Sequence, residues 1–376
     1  MIKINNKYEK FKYRVNDLNN NNISAKFSFR NPNFYFDIEL NIPVSGITAV
    51  FGQSGAGKTT LLRCIAGLEK IAGGQLKFGE QQWQSADQFL PVHQRPIGYV
   101  FQESALFEHL NVLENLNYGR KRAHSGVNQE EFERIVELMG ISQLLSNNAA
   151  LLSGGEKQRV AIARALMMKP EILLMDEPLA SLDRKRKQEV MEYLENLHRE
   201  LSIPILYVSH SVEEVTRLAT YIVVLERGKI VKHGDIKRVL SDHILQDMMA
   251  DEPFTLLFGQ VISACNEYCL TEVKIDGHTI YMPRQNVSDE QLIRLHLNAR
   301  DISITLQKPQ QTSVLNVFEC QVIEIGDATG NGQCMVRLSL NNTELLAKIS
   351  DYSRVILNLR PAQKVFAQIK AVSVVQ

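Results

Sequence analysis

The chain has 376 residues, 44% of them hydrophobic and 22% charged, with a formal net charge of zero. That length holds two domains, or one large domain with an appendage. A neutral balance argues against a protein built to grip a nucleic-acid backbone, which needs an excess of positive surface, so no nucleic-acid partner is expected.

No apolar run approaches the roughly 20 residues that span a bilayer. The chain is therefore expected to be soluble by itself and to meet a membrane only through a partner. Its five cysteines (Cys64, Cys265, Cys269, Cys320 and Cys334) form an odd set without a CxxC pair. That suits a reducing compartment and free thiols better than a disulfide framework. Cys265 and Cys269 have no His or Cys at zinc-site spacing and read as ordinary packing rather than a metal pair.

Residues 1–24, "MIKINNKYEKFKYRVNDLNNNNIS", are rich in Asn and lack the apolar core of a signal peptide. They are read as a poorly ordered extension. From about Ala25 the text becomes strand-like, and "GITAVFG" (Gly46–Gly52) is a short β-branched run stopped by glycine. The helical stretch "KTTLLRCIAGL" follows, so strand, glycine loop and helix open an α/β nucleotide-binding unit.

The loop itself, "GQSGAGKT" (Gly52, Gln53, Ser54, Gly55, Ala56, Gly57, Lys58, Thr59), fits the phosphate-loop pattern. Its glycines let successive N–H groups point at phosphate oxygens. Lys58 offers a point charge, Thr59 a hydroxyl for Mg²⁺, and the following helix its positive end. Gln102, after the apolar run "YVF", is placed to orient water or complete a metal shell.

"EEFERIVELMG" sets Phe132, Ile135, Val136 and Met139 at helical spacing before Gly140. Ser153, Gly154 and Gly155 then open a helix as an anion-binding turn would. "EILLMD" and "IPILYVS" are continuous apolar runs suited to buried parallel strands. Asp176 ends the first, where a carboxylate can hold Mg²⁺. Glu177 is placed to take a proton from the attacking water. His210 ends the second run and is placed to donate to a γ-phosphate. "RKRKQEVMEYLENLHREL" reads as a helix and "YIVVLERGKIVKHG" as a hairpin turning at Arg227-Gly228.

After about Pro253 helical periodicity fades and short alternating strands take over. The expected division is thus an α/β domain over 25–252 and a mainly β domain over 253–376. "ISITL" and "QIKAVSVV" look like terminal strands of two similar small units.

Together these residues resemble the ATP-binding cassette ATPases. The set comprises the phosphate loop, the glutamine loop at Gln102, the signature "LSGGE" (Leu152–Glu156), "LLMDEP", the "SLD" loop ending at Asp183, and the switch histidine His210. The resemblance implies a P-loop NTPase fold with a helical subdomain, and ATP and Mg²⁺ as ligands. It implies Thr59, Gln102 and Asp176 around the metal, and Glu177, His210 and Gln102 in catalysis. It also implies a second copy of the chain, paired head to tail, whose ATP is closed by Ser153, Gly154, Gly155 and Glu156, with Asp183 in the dimer loop. Glu156 stands where glutamine is usual. Phe29 and Phe34 lie at about the right distance before Gly52 to stack on adenine, and fit core strand positions equally well.

The tail, with its core at about 311–376, resembles the OB-like, Mop-type molybdate-binding domain on ATP-binding subunits of molybdate importers. That resemblance implies two membrane-spanning permease subunits, which dock at "SALFEHLNVLENLNYG", and indirectly a molybdate-binding protein. It places the chain peripherally at the cytoplasmic face of the inner membrane. Molybdate bound to the tail would meet Ser313, Ser350, Ser353 and Lys370. Leu315 stands before Asn316 where the family often has arginine, removing one cation. Two other readings stay open on sequence: an ATPase importing sulfate, phosphate, iron or sugar, and a non-transport oxyanion-sensing or storage protein.

Overall fold

A computed structural model describes residues 22–31, 34–123, 126–201, 203–240, 252–328, 330 and 332–375. Residues 1–21 of the expected extension lie outside that set, and Asn22–Ser24 already belong to the first strand. The chain divides into two compact units between Asp235 and Ile236.

In the first unit, β1 (Asn22–Asn31) and β2 (Phe34–Pro43) pair antiparallel. Their alternating pattern buries Ile23, Ala25 and Phe27 on one strand and Phe36, Ile38 and Leu40 on the other. β3 (Ile47–Phe51) follows, then β4 (Gln75–Phe78), β5 (Gln81–Gln84), β6 (Ile97–Val100), β7 (Ile172–Asp176), β8 (Ile205–Ser209), β9 (Tyr221–Glu226) and β10 (Lys229–Asp235). One ten-stranded sheet results, in the order β5-β4-β1-β2-β10-β9-β3-β8-β7-β6. From β9 through β3, β8 and β7 to β6 every neighbour runs parallel.

Parallel strands bury both faces, which is why these runs read as continuous apolar text. On β7, Leu173 and Met175 join the core on one side and Ile172 and Leu174 the core on the other. On β8, Ile205 and Tyr207 divide from Leu206 and Val208 in the same way. The helices are α1 (Lys58–Ala66), α2 (Val112–Arg120), α3 (Gln129–Leu138), α4 (Gly154–Leu166), α5 (Arg184–Leu201) and α6 (Val212–Leu218).

The β9–β10 hairpin turns at Arg227-Gly228, as its sequence suggests. Gly228 has φ 75°, and its N–H donates to the Ala56 carbonyl at 3.0 Å while its own carbonyl accepts from Asp37 N at 2.8 Å. The turn thereby braces the phosphate loop against β2. A Cβ at Gly228 would collide with the Tyr35 carbonyl oxygen. Gly228→Ala is therefore expected to cost about 1–3 kcal/mol, from overpacking and backbone strain together. Denaturant unfolding of the two proteins checks this.

The second unit opens with α7 (Ile236–Leu240), whose Ile236, Val239 and Leu240 are buried. Lys237 of α7 lies over the Phe258 ring at 4.1 Å, within β11 (Phe254–Ser263). Contacts of this kind draw the division upstream of the expected 252/253 boundary, because composition changes only where strand alternation begins. β12 (Leu270–Ile275), β13 (His278–Pro283), β14 (Leu292–Asn298) and β15 (Ile302–Thr305) come next. After them come β16 (Asn316–Ile325), β17 (Gln333–Leu340), β18 (Thr343–Ser350), α8 (Asp351–Ile356), β19 (Lys364–Ile369) and β20 (Ser373–Val374).

Two five-stranded sheets form, ordered β13-β12-β11-β14-β20 and β15-β19-β16-β17-β18. Their topologies match strand for strand, with the fifth strand of each exchanged. β15 leaves the first sheet to pair with β19, and β20 returns to pair with β14. One apolar core, from Leu257 to Ile369, serves both.

Candidate active site

The chemistry-bearing residues leave the carboxyl ends of parallel neighbours β3, β8, β7 and β6, where open α/β sheets bind ligands. Past β3 the chain curls through Gly52–Gly57 into α1. Gly57 has φ 102°, and a Cβ there would sit 3.0 Å from the Phe34 and Phe36 rings, so glycine alone allows this approach. Gln53, Ser54 and Gly55 are exposed, whereas Ala56, Gly57 and Lys58 are buried. Of the two adenine candidates, Phe34 is thus the ring that touches the loop, with Phe29 a further 6.3 Å away centroid to centroid.

The Lys58 ammonium donates to the carbonyls of Gly52 at 2.8 Å and Gln53 at 3.1 Å, and pairs with Glu177 Oε1 at 3.1 Å. Glu177 Oε2 meets His210 Nδ1, also at 3.1 Å. One carboxylate therefore sits between the two groups expected to hold γ-phosphate. Glu177 itself has φ 44°, a left-handed backbone held by its N–H on the Val208 carbonyl at 3.1 Å. Such strain persists only where the surroundings enforce it.

Thr59 Oγ1 donates to Asp176 Oδ1 at 2.9 Å, and Tyr99 Oη donates to Asp176 Oδ2 at 3.3 Å. Burial pushes the Asp176 carboxyl pKa up, with these two hydrogen bonds opposing it. Burial also pushes up the Tyr99 phenol, which stays a donor. A hydroxyl and a carboxylate converging on one point are the hard oxygen donors Mg²⁺ requires beside phosphate oxygens, so the residues fit that ion. Gln102 lies exposed beyond β6. Ser104, two residues on, donates to Gln158 of α4 at 3.3 Å, tying this loop to the signature helix.

At the signature, Ser153 caps α4 with a capping box. Glu156 N–H donates to Ser153 Oγ at 3.5 Å, and Ser153 N–H to Glu156 Oε2 at 2.8 Å. This explains the departure from glutamine, since Glu and Gln serve that position alike. The cap uses a lone pair of Ser153, and its O–H is turned toward the Glu156 carboxylate. The Ser153 hydrogen bonds hold the Glu156 carboxyl below its usual range. A depressed carboxyl stabilises the fold above its unfolded pKa, and that contribution is lost as pH falls through the folded pKa. Glu156→Gln is thus expected to unfold within about 0.5 kcal/mol of the parent at neutral pH. The parent should lose ground to the variant in acid, which chemical denaturation at the two pH values checks.

Asp183 accepts from Arg186 N at 3.0 Å and caps the first turn of α5. The four expected oxyanion residues do not converge in one chain. Asn316 pairs with Ile369, so Ser313 before β16 and Lys370 after β19 share one end of the sheet. Ile325 pairs with Val336 and Gln333 with Ser350, which puts Ser350 and Ser353, at the start of α8, at the other end. There the two hydroxyls bond each other at 2.8 Å. Leu315 is exposed, while Asn316 exchanges two 2.8 Å hydrogen bonds with the Tyr281 backbone and staples β16 to β13.

Two residues at the site escaped the sequence reading: Tyr99, on Asp176, and Glu214, buried on α6, which accepts from Ser209 Oγ at 2.7 Å. A tyrosine before the glutamine loop and an acid four residues after His210 were the available signals.

Comparison with known proteins agrees with this geometry. The ABC transporter family profile matches residues 35–180 and the TOBE domain profile residues 312–376. The molybdenum import ATP-binding protein ModC of Bordetella parapertussis is 44% identical over 93% of this chain and 96% of that protein. The ModC of Methylococcus capsulatus is 43% identical, over 94% and 99% respectively. Among solved structures, cbiO1 of Clostridium perfringens, described as part of the ABC transporter complex cbiONQ, matches with a TM-score of 0.52 at 26% identity. It covers 60% of this chain and 92% of its own. The chain therefore belongs to the ABC transporter family, among its molybdenum import ATP-binding proteins.

Proposed function

We propose that this chain is the ATP-hydrolysing subunit of a molybdate importer, working as a head-to-tail pair on two membrane-spanning subunits. The observation that carries the ATPase is the Lys58–Glu177–His210 chain beside Thr59 and Asp176. An incoming γ-phosphate draws Lys58 and His210 onto itself, which frees Glu177 to accept a proton from water on its far side. Thr59, Asp176 and Gln102 would hold Mg²⁺, which would supply positive charge to the phosphates. The partner's Ser153 hydroxyl and glycine N–H groups complete the cradle.

Binding of ATP thus closes the pair and hydrolysis releases it. The cargo follows from the relatives, whose names give molybdenum import over nearly their whole length. Docking on the membrane subunits falls to the segment around α2, where Phe101, Leu113 and Tyr118 are exposed. No helix among the described residues is long and apolar enough to cross a membrane, which suits a peripheral place on the inner membrane.

In the tail, the separation of Ser313 and Lys370 from Ser350 and Ser353 suits an oxyanion site completed between two copies. Calorimetric titration of the purified chain with molybdate, with sulfate as control, tests this. The expected result is molybdate binding that sulfate cannot match, with a rise in tail-mediated association. Equal heats from both anions would remove molybdate from the tail.

A further inference from the structure

The switch histidine has neighbours that the proposed reaction does not use. Glu214 is 4% exposed yet lies on the first turn of α6 with its carboxylate turned inward. Its Oε2 accepts from Tyr207 Oη at 2.9 Å and from Ser209 Oγ at 2.7 Å, and its Oε1 from Lys187 Nζ at 3.4 Å. Ser209 Oγ in turn accepts from Ser211 N at 2.9 Å, and Glu214 N donates to Ser211 Oγ at 3.4 Å. Ser209 is therefore tied directly to one buried carboxylate, and Ser211 to it through the Ser209 hydroxyl.

Lys187 carries the connection further. Its backbone N–H donates to the Asp183 carbonyl at 2.9 Å, in the first turn of α5, where Asp183 is the cap. Burial and the Glu214 carboxylate push the Tyr207 phenol pKa up, so this hydroxyl remains a donor and Oε2 stays doubly held. A buried acid with three donors is costly to leave half-satisfied, which makes the arrangement stiff.

We infer that Glu214 is a positioning residue that fixes the backbone on both sides of His210 and links it, through Lys187, to the dimer loop at Asp183. The link makes seating of the switch histidine conditional on the position of the loop that faces the partner copy.

This rests on the reading of His210 as the γ-phosphate group, and the test separates the two. Glu214→Gln keeps acceptors for Tyr207 and Ser209 but removes the ion pair, and Lys187→Ala removes the same pair from the other side. Each variant in the full chain is expected to lower kcat for ATP at least about tenfold, the scale of a lost charge-assisted bond. KM should stay within about twofold, and the double variant should be no worse than either single one. In a His210→Ala background Glu214→Gln should change nothing further. Single effects that multiply, or unchanged kcat with a lowered melting temperature, would overturn the link and leave Glu214 as a core residue. Full turnover in His210→Ala alone would instead sink the reading on which it rests. Lys187→Ala lies on a partly exposed side chain, so the test stands even where Glu214 variants fold poorly.

Discussion

Glu177→Gln is expected to lower ATP turnover by about 10²–10⁴-fold, the usual worth of a positioned general base, while leaving nucleotide binding intact or tighter. The amide keeps the side-chain volume and an oxygen for Lys58 or His210, so the left-handed backbone at φ 44° and its bond to Val208 are undisturbed. It cannot take a proton from water. It also removes the negative charge that holds Lys58 at 3.1 Å, so the lysine is more available to phosphate. An ATP-bound pair should therefore accumulate, visible as a doubling of mass by light scattering when Mg-ATP is added. Unchanged turnover would take Glu177 out of its role.

Lys58→Ala is expected to act with the opposite sign on binding. Charge-assisted hydrogen bonds contribute roughly 1.5–3 kcal/mol each, so loss of one phosphate contact weakens ATP by about ten- to 150-fold. The side chain also bonds the carbonyls of Gly52 and Gln53, and its loss loosens the loop before any nucleotide arrives. Fluorescence titration with an ATP analogue would measure the first effect, and hydrogen exchange across Gly52–Thr59 the second. ATP affinity equal to that of the parent would show that the backbone N–H groups and helix end suffice without the lysine. The two variants thus form a pair: both silence turnover, one with nucleotide held and the other with nucleotide lost.

Much of the nucleotide half was legible because its signals are local. A β-branched run stopped by glycine, then Lys58 and Thr59, specifies strand, loop and helix within about twenty residues. The apolar runs ending at Asp176 and Ser209 could be placed as parallel strands because both faces are buried. What sequence could not supply were contacts between distant residues. Tyr99 reaches Asp176, and Lys187 reaches Glu214, only after β6, β7 and α5 have assembled. The oxyanion residues were grouped because they recur in one linear pattern, whereas antiparallel register sends them to opposite ends of a sheet. The domain boundary shifted for a related reason: α7 is assigned by what it buries, and its composition resembles the helices before it.

The exchanged strands of the tail bear on how that unit comes into being. β14 exposes an unpaired edge until β20 arrives, and β20 is separated from it in the chain by the whole second sheet. Neither half can finish early during synthesis, and the high contact order that results favours slow, all-or-none folding. The same lock makes the halves one thermodynamic body. Clipping Ser373-Val374 would reopen the β14 edge, far from the cut in sequence. A tail built this way is stiffened by its own strand exchange, without needing a hinge.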